Sequence, residues 1–149
     1  MATRPKAGTT LILKRIIAAP RDKVFDAWTS PAIIRLWFFP EGGYSSAIAE
    51  VDLRIGGKYR IGIRHPDNKL HVATGVYREI SKPERLVFTW SWEHDPIDTL
   101  VTLTFTEKGG MTEMVLKHEA LPTPAERDSH EKGWIGCIAQ LERMFAGKK

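Results

Sequence analysis

The sequence contains a single cysteine, Cys137, so the chain cannot form a disulfide within itself. It has no apolar stretch near the roughly 18 residues that a membrane span needs, and its first residues lack the apolar segment of a secretory signal peptide. It also lacks the glycine spacings of dinucleotide-binding and phosphate-binding loops. From these absences we expect a cytoplasmic protein with no membrane association and no cofactor.

Charge of one sign is not concentrated anywhere in the sequence. Lysine and arginine number 22 against 18 aspartate and glutamate residues, which gives a formal net charge of +4. Part of the excess comes from the two ends, and the remaining charges of both signs are interleaved. This is typical of a solvated surface rather than of a basic stripe that tracks a phosphate backbone. We therefore expect no nucleic acid partner.

The usual signatures of metal and nucleophile chemistry are missing as well. The five histidines follow no His-Glu-x-x-His spacing, and no cysteine pair exists. The Glu93-His94-Asp95 cluster falls in an expected hairpin loop, and no serine has the Gly-x-Ser-x-Gly context of a hydrolase. Cys137 lies on the apolar face of an expected helix, where burial raises the pKa of a thiol. We expect no metal site, and we interpret Cys137 as a small core residue.

What is present fits one globular domain. The chain has 149 residues, and 42% of them are hydrophobic, which is enough for a sizeable core. Pro5 and Gly8 among small and basic residues indicate a frayed start. We therefore predict a single domain over residues 1–149, with an ordered core over about residues 10–146.

The first part of the chain predicts one strand followed by two short helices. A β-prone run begins at Leu11 and ends before Pro20, which suits the first position of a helix because it has no N–H to lose. Ser30-Pro31 supplies the N-cap and the first position of a second helix. The apolar residues of both segments recur at helical spacing, so each helix has one apolar face.

The middle of the chain predicts a series of strands. Apolar residues alternate from Lys58 onward and again at about 70–80, 85–92, 99–106 and 111–118. Glycine pairs and other turn residues separate these runs, so neighbouring strands are joined by short turns. Short connections favour an antiparallel sheet.

A long helix closes the chain. Thr123-Pro124-Ala125-Glu126 has the pattern of a capping box, and the helix should run to about Ala146 and stop at Gly147. Its first half is polar and its second half carries an apolar stripe. Gly133 and Gly136 each cost about 1 kcal/mol relative to alanine inside a helix. Their presence suggests that backbone or ligand approaches the helix closely there.

Seven short motifs appear in a characteristic order over about residues 10–146. They are Val24-Phe25-Asp26-Ala27-Trp28-Thr29, Leu36-Trp37-Phe38, Gly56-Gly57-Lys58-Tyr59-Arg60, Gly75-Val76-Tyr77-Arg78-Glu79-Ile80, Pro83-Glu84-Arg85-Leu86-Val87-Phe88-Thr89-Trp90, Thr112-Glu113-Met114 with His118, and Gly133-Trp134. Together they resemble the Hsp90-ATPase-activator-homologue branch of the START/Bet v 1-like (SRPBCC) superfamily. The resemblance implies an α+β helix-grip fold, in which a curved antiparallel sheet wraps the long C-terminal helix and two short helices follow the first strand.

Such a fold can enclose a cavity between the sheet and the helix, and we predict that it binds a small hydrophobic or aromatic molecule. Large inward-facing side chains would line the cavity, with a few polar groups to orient the ligand. The predicted ligand-binding residues are Trp28, Trp37, Tyr59, Ile61, Phe88, Trp90, Trp92, Leu103, Phe105, Met114, His118, Trp134 and Ile138. The polar candidates are Tyr59, Thr112, His118 and His71. Packing of the same aromatic residues into a filled core is the competing interpretation.

Two other functions stay open at this stage. His118 and Tyr59 could move protons in a cyclase-like or dehydratase-like enzyme, although Glu119 should point away from His118 and cannot orient it. The family resemblance also allows an Hsp90 co-chaperone-like interaction module. Finally, three successive aromatic residues, Trp37, Phe38 and Phe39, are hard to bury from one short helix, so we expect a pocket mouth or a homodimer contact there.

Overall fold

The β-branched and aromatic runs of the sequence form strands, and the proline-led segments form helices, in a computed structural model that describes residues 9–146. The elements in chain order are β1 (Leu11–Ile17), α1 (Arg21–Thr29), α2 (Pro31–Trp37), β2 (Ser45–Val51), β3 (Lys58–Arg64), β4 (Leu70–Ser81), β5 (Arg85–Trp92), β6 (Asp95–Lys108), β7 (Met111–Glu119) and α3 (Pro124–Ala146). The frayed start expected over residues 1–8 and the helix stop expected at Gly147 lie outside the described residues.

All seven strands form one curved antiparallel sheet. Their order across the sheet is β1-β7-β6-β5-β4-β3-β2. From β2 to β7 each strand therefore lies beside the next one in the chain, and β1 is an edge strand beside β7. The helix α3 packs across the concave face through Trp134, Cys137, Ile138 and Leu141, all of which are buried. The predicted α+β helix-grip fold is confirmed.

Two strand predictions from the sequence were incomplete. The edge strand β2 was not predicted, because its small and polar residues give no clear alternation and most of them are only half-buried. The strand β6 begins at Asp95 instead of about residue 99, and Asp95 pairs with Trp92 of β5. The loop expected at Glu93-His94-Asp95 is therefore only a two-residue turn, because the strands continue pairing up to it.

The helix starts follow the expected residue types. Pro20 immediately precedes α1 in an extended conformation, and Pro31 is the first residue of α2. At the start of α3, the Glu126 backbone N–H donates to Thr123 Oγ1 at 3.1 Å. This bond satisfies one of the N–H groups that a helix start leaves without an intrahelical acceptor.

A buried chain of hydrogen bonds fastens α3 to the sheet. Trp134 Nε1 of α3 lies 3.0 Å from His118 Nδ1 of β7, and His118 Nε2 lies 2.7 Å from Thr99 Oγ1 of β6. The Thr99 hydroxyl in turn donates to the Trp90 carbonyl oxygen of β5 at 2.7 Å. Four groups from three strands and the helix therefore form one connected network.

The donors of this network determine the tautomer of His118. An indole N–H can only donate, so His118 Nδ1 must be the acceptor for Trp134. The only hydroxyl hydrogen of Thr99 goes to the Trp90 carbonyl, so His118 Nε2 carries the ring hydrogen and donates to Thr99 Oγ1. Burial, together with the nearby His130, lowers the pKa of His118 to about 3. His118 is therefore neutral, with both ring nitrogens in use.

Gly75 of β4 allows the side chain of Tyr59 to pass from β3 over β4 and reach β5. Tyr59 of β3 is opposite Gly75 of β4, and Tyr59 Oη donates to the Thr89 carbonyl oxygen of β5 at 2.6 Å. In the same place the Val76 backbone N–H donates to Thr89 Oγ1 at 2.9 Å. A Cβ at Gly75 would overlap the Thr89 carbonyl oxygen and would lie 2.8 Å from Tyr59 Oη. The close approach of these groups thus requires glycine.

We predict that His118 makes the fold sensitive to acid. Its pKa of about 3 in the folded protein lies below the value of about 6.5 expected in the unfolded chain. Unfolding therefore takes up a proton between these values, and stability should fall as the pH drops below about 6.5, by up to about 1.4 kcal/mol per pH unit. Urea unfolding of the parent protein and of His118→Gln at several pH values measures this slope.

The glutamine amide can still accept from Trp134 and donate to Thr99, but it does not titrate. The variant should therefore lose the part of the pH slope that His118 contributes. The control is His94→Gln, which replaces an exposed histidine of the β5–β6 turn. This variant should keep the part of the pH slope that His118 contributes. An unchanged slope in His118→Gln would contradict the prediction.

We also predict that Gly75→Ala destabilises the protein by about 2 kcal/mol, which is within the range for overpacking a tight site. The added methyl group would push on a backbone carbonyl oxygen, which cannot move aside as a flexible side chain can. Chemical denaturation gives the free energy of unfolding. Gly133→Ala is the control, since a Cβ at that position meets no atom within 4 Å, and it should not destabilise the protein.

Candidate functional site

A cavity of about 540 Å³ lies between the concave side of the sheet and the first half of α3. Ile63 of β3, His71 of β4, and Trp90 and Trp92 of β5 form its sheet side. The helix side runs from Glu126 to Cys137. The segment after α2, with Phe38, Pro40 and Tyr44, closes a third side. The volume falls in the range of about 300–1,000 Å³ that is usual for small-molecule sites.

One part of the wall is built from aromatic rings in mutual contact. The Trp90 ring centroid is 4.9 Å from that of Trp134 and 5.4 Å from that of Trp92. Phe38 stacks on Trp90 at 6.1 Å and meets Trp134 edge-on at 5.6 Å. Pairs at these distances support one another in fixed orientations. The wall is therefore rigid and apolar.

The run Trp37-Phe38-Phe39 is less exposed than expected, since Trp37 and Phe38 are buried and Phe39 is half-buried. Trp37 has no exposed surface and donates from Nε1 to the Ala27 carbonyl at 2.8 Å, and Phe38 is 3% exposed. The chain makes an inverse γ-turn at Phe38, with φ −81° and ψ 63°, and the Phe39 N–H bonds to the Trp37 carbonyl at 2.7 Å. The rings of Trp37 and Phe38 remain in contact at 5.0 Å between centroids, but only Phe38 also lines the cavity. The aromatic run therefore gives no support to a homodimer, which stays a prediction.

Another part of the wall consists of histidines. His65 follows β3, His71 belongs to β4, and His94 lies in the β5–β6 turn. The ring centroids of His65 and His71 are 3.9 Å apart, and those of His71 and His94 are 4.7 Å apart. Tyr44 meets the His65 ring edge-on at 4.8 Å. We call His65, His71 and His94 the histidine row.

A fourth histidine, His130 of α3, lines the same cavity and has a different role. Its Nδ1 donates to the Glu126 carbonyl at 2.8 Å, so its Nε2 accepts the Trp92 indole N–H at 3.3 Å. His130 thus holds Trp92 against the helix. Three charged side chains also line the cavity: Asp95, Glu126 and Lys132.

The structure brings three of the predicted ligand-binding residues, Trp90, Trp92 and Trp134, together on the cavity wall. The others lie outside the wall and are buried in the core: Trp28, Trp37, Tyr59, Ile61, Phe88, Leu103, Phe105, Met114, His118 and Ile138. Thr112 is also fully buried and donates to the Ala19 carbonyl at 2.7 Å. His71 is the one polar candidate that reaches the cavity.

The two proposed proton-transfer residues are occupied by internal bonds. His118 holds Trp134 and Thr99 as described above, and it lies behind the wall that Trp90 and Trp134 form. Tyr59 is bonded to the Thr89 carbonyl, and burial raises the pKa of its phenol well above the usual value, with smaller contributions from Tyr77 and Asp98. Neither group is poised to exchange a proton with a molecule in the cavity.

Cys137 and the glycines of α3 border the cavity in different ways. Burial raises the pKa of the Cys137 thiol to about 12, so it is a neutral thiol at physiological pH. At Gly136 a Cβ would come within 3.1 Å of Pro40 Cβ, so that glycine admits the neighbouring backbone segment. At Gly133 a Cβ would meet no atom within 4 Å, although the residue lines the cavity. Gly133 therefore leaves space in the cavity.

Residues 9–146 contain no group of three or more histidine, cysteine, aspartate or glutamate residues arranged to hold a metal ion. In the same part of the chain, no helix combines the length and apolar character that crossing a membrane requires. Sequence reasoning missed His65 and His94 as wall residues, whereas Phe38 belongs to the aromatic run that was expected at a pocket mouth or a dimer contact. The histidines share a position near strand ends on one side of the sheet. That shared position becomes visible only once the strand register is known.

Solved structures with the same fold span nearly the whole chain. A protein from Chromobacterium violaceum has a TM-score of 0.85 and 25% identity, and the match covers 93% of this chain and 99% of that one. A protein from Rhodobacter sphaeroides has a TM-score of 0.83 and 26% identity, with 97% of each chain covered. An Hsp90 activator from Plasmodium falciparum has a TM-score of 0.73 and 21% identity, with 92% of this chain and 96% of that chain covered. This last likeness shows the fold alone.

Sequence comparisons give the family. No curated protein sequence matches the chain. A family model described as "Activator of Hsp90 ATPase homolog 1-like protein" matches residues 18–146, which confirms the resemblance inferred from the seven motifs. The chain therefore belongs to the family of activator of Hsp90 ATPase homolog 1-like proteins.

Proposed function

We propose that the protein binds a small, largely aromatic molecule in the cavity between the sheet and α3. The observation that carries the proposal is the combination of open volume with a wall of fixed indole and phenyl rings. Concave spaces of this size, walled by aromatic side chains with a few polar groups, are typical of small-molecule sites. Flat rings on the wall favour a flat ligand, which can stack on them or meet them edge-on.

An unused hydrogen-bond donor on the wall supports the same proposal. Trp90 Nε1 is buried and has no hydrogen-bond partner among the described residues. Leaving such a donor unpaired costs about 1–3 kcal/mol, and native proteins contain few of them. A ligand whose acceptor atom reached Trp90 Nε1 would supply the missing partner.

The enzyme interpretation receives no comparable support. It required His118 and Tyr59 to face the ligand, whereas both make internal hydrogen bonds and lie off the cavity wall. A neutral His118 with a pKa of about 3 also makes a poor base near neutral pH. We therefore propose binding without a reaction, and we place it in the cytoplasm because the single cysteine is a buried free thiol.

Filling the cavity from the helix tests the proposal. In Gly133→Leu the new side chain would occupy open space in the cavity, so the protein should fold at least as well, because glycine is about 1 kcal/mol worse than other residues inside a helix. We predict that the variant loses binding of the neutral probe 1-naphthylacetamide by at least about tenfold, or about 1.4 kcal/mol. Isothermal titration calorimetry measures the affinity, and chemical denaturation measures the stability.

Asp128→Leu provides the matched control, because it adds the same side chain to an exposed position of α3 outside the cavity wall. It should bind the probe as the parent protein does. Equal affinity in Gly133→Leu and the parent would place the probe elsewhere and remove the cavity as its site. Failure of the parent protein to bind the probe at all would count against the proposal itself.

Activation of Hsp90 is the second candidate function, and family membership favours it. This candidate predicts that adding the protein to Hsp90 raises the rate of ATP hydrolysis and that the two proteins co-elute. Gly133→Leu should have the same effect as the parent, because its change is confined to the cavity wall. An unchanged ATPase rate with both proteins would remove this candidate.

A further inference from the structure

Four of the five histidines of the chain line one cavity, and their hydrogen bonding divides them into two kinds. His130 uses both ring nitrogens in bonds to Trp92 and Glu126, and His118, behind the wall, uses both of its own. Within residues 9–146, no ring nitrogen of the histidine row is hydrogen-bonded to a protein group. The row therefore offers free N–H donors at a surface that is otherwise aromatic.

The three rings of the histidine row come from separate elements and are tilted relative to one another, by 33° between His65 and His71 and by 54° between His71 and His94. His71 is at the centre, with His65 on one side at 3.9 Å and His94 on the other at 4.7 Å between ring centroids. His71 also meets the Trp92 ring edge-on at 6.2 Å. The row thus continues directly from the aromatic wall, and one ligand can touch both.

The surroundings of the histidine row disfavour the simultaneous protonation of several of its rings unless a counter-ion is bound. Partial burial is the first cause that lowers the pKa of His71, and the charges of His65 and His94 add to it. Lys69 of the β3–β4 turn acts in the same direction, while Asp67 of that turn opposes it. From across the cavity, α3 presents Glu126, His130 and Lys132, and β6 presents Asp95. An anion bound by the row would offset the repulsion between protonated rings.

We propose that His65, His71 and His94 form a subsite for the carboxylate group of the aromatic ligand, so that the ligand is an aromatic acid. The inference rests on the proposed binding function and deepens it. The aromatic body of the ligand lies against Trp90, Trp92 and Trp134, and its carboxylate accepts hydrogen bonds from the row. Hydrogen bonds between a protonated imidazole and a carboxylate are stronger than neutral ones, so binding favours protonation of the row.

Proton uptake is the consequence that a merely structural role of the histidines would not produce. In the free protein the lowered pKa keeps His71 mostly neutral near pH 7. A bound carboxylate raises that pKa, so the complex holds more protons than the free protein. The affinity for the acid should therefore increase as the pH falls from about 8 to about 6, by up to about tenfold per pH unit for one proton taken up.

Three probes that share one aromatic body separate the carboxylate subsite from the cavity. They are 1-naphthylacetate, which is anionic, 1-naphthylacetamide, which is neutral, and 2-(1-naphthyl)ethylamine, which is cationic. Affinities are measured by isothermal titration calorimetry at pH 6, 7 and 8, with a chelator present so that no metal ion bridges the imidazoles and the probe. Titrations at pH 6 and 7 in two buffers of different ionisation enthalpy give the number of protons taken up.

We expect the acetate to bind about tenfold more tightly than the amide at pH 6, a difference of about 1.4 kcal/mol, and to approach the amide at pH 8. Its binding should take up about half a proton on average between pH 6 and pH 8, as a tenfold change over two pH units requires, whereas binding of the amide should take up none. In His71→Gln the acetate should bind like the amide at every pH. The amide affinity of the variant reports that its cavity is still folded.

Lys14→Gln is the control for a general loss of positive charge, since Lys14 lies on β1 outside the cavity and pairs with Glu113. It should keep the preference for the acetate. Equal binding of acetate and amide at all pH values would overturn the carboxylate subsite while leaving the cavity proposal intact. Preferred binding of the amine, through Asp95 or Glu126, would also overturn it. Binding of none of the three probes would overturn both proposals.

Discussion

The neutral state of His118 is the constraint on which the helix, the sheet and the cavity wall depend. The Trp134 indole can only donate a hydrogen bond, and the Thr99 hydroxyl donates its hydrogen to the Trp90 carbonyl oxygen. Only one tautomer of the His118 imidazole therefore satisfies all the groups. A buried network of this kind is stabilising when every member is satisfied and costly when one is not. It connects β5, β6, β7 and α3, and two of its residues, Trp90 and Trp134, supply the indoles of the wall.

The same anchoring point explains why the cavity occupies only one half of α3. The cavity lining of α3 ends at Cys137, and beyond it the helix buries Ile138 and Leu141 in the core. Before Trp134 the helix is mostly polar, so it has little apolar surface with which to close on the sheet. Gly133 stands at the boundary and adds no side chain. The cavity is thus a consequence of how hydrophobic residues are distributed along the helix, with the hydrogen-bonded network holding the helix in place beside it.

The sequence was sufficient for the fold because the fold depends on local periodicity. Three local signals each act within a few residues: the alternation in β3–β7, the prolines at the starts of α1 and α2, and the Thr123 cap. The family motifs predicted the same fold. The candidate site was harder to predict because it depends on contacts between distant residues. Inward-facing alternation selected nine of the thirteen predicted residues, but it cannot distinguish Phe88, which fills the core, from Trp90, two residues on, which borders the cavity. The sequence placed Phe38 in a run expected at a pocket mouth or a dimer contact, but it could not single out Phe38 within that run. A single inverse γ-turn decides the direction of its ring, and no residue pattern indicated that turn.

The histidines show how one residue type acquires two roles in the same small region. His118 has no contact with solvent, and its two nitrogens are matched by fixed partners, so protonation would break a bond to Trp134 and the residue serves the structure. His65, His71 and His94 lie at strand ends and in a turn, where they keep partial access to water and have nothing in the described chain to bond to. When more than one of these rings is protonated, their charges repel one another, and an anion bound from outside would offset that repulsion. A ligand with a flat apolar body and an anionic end would satisfy the aromatic wall and the histidine row together, since the two surfaces meet where Trp92 touches His71.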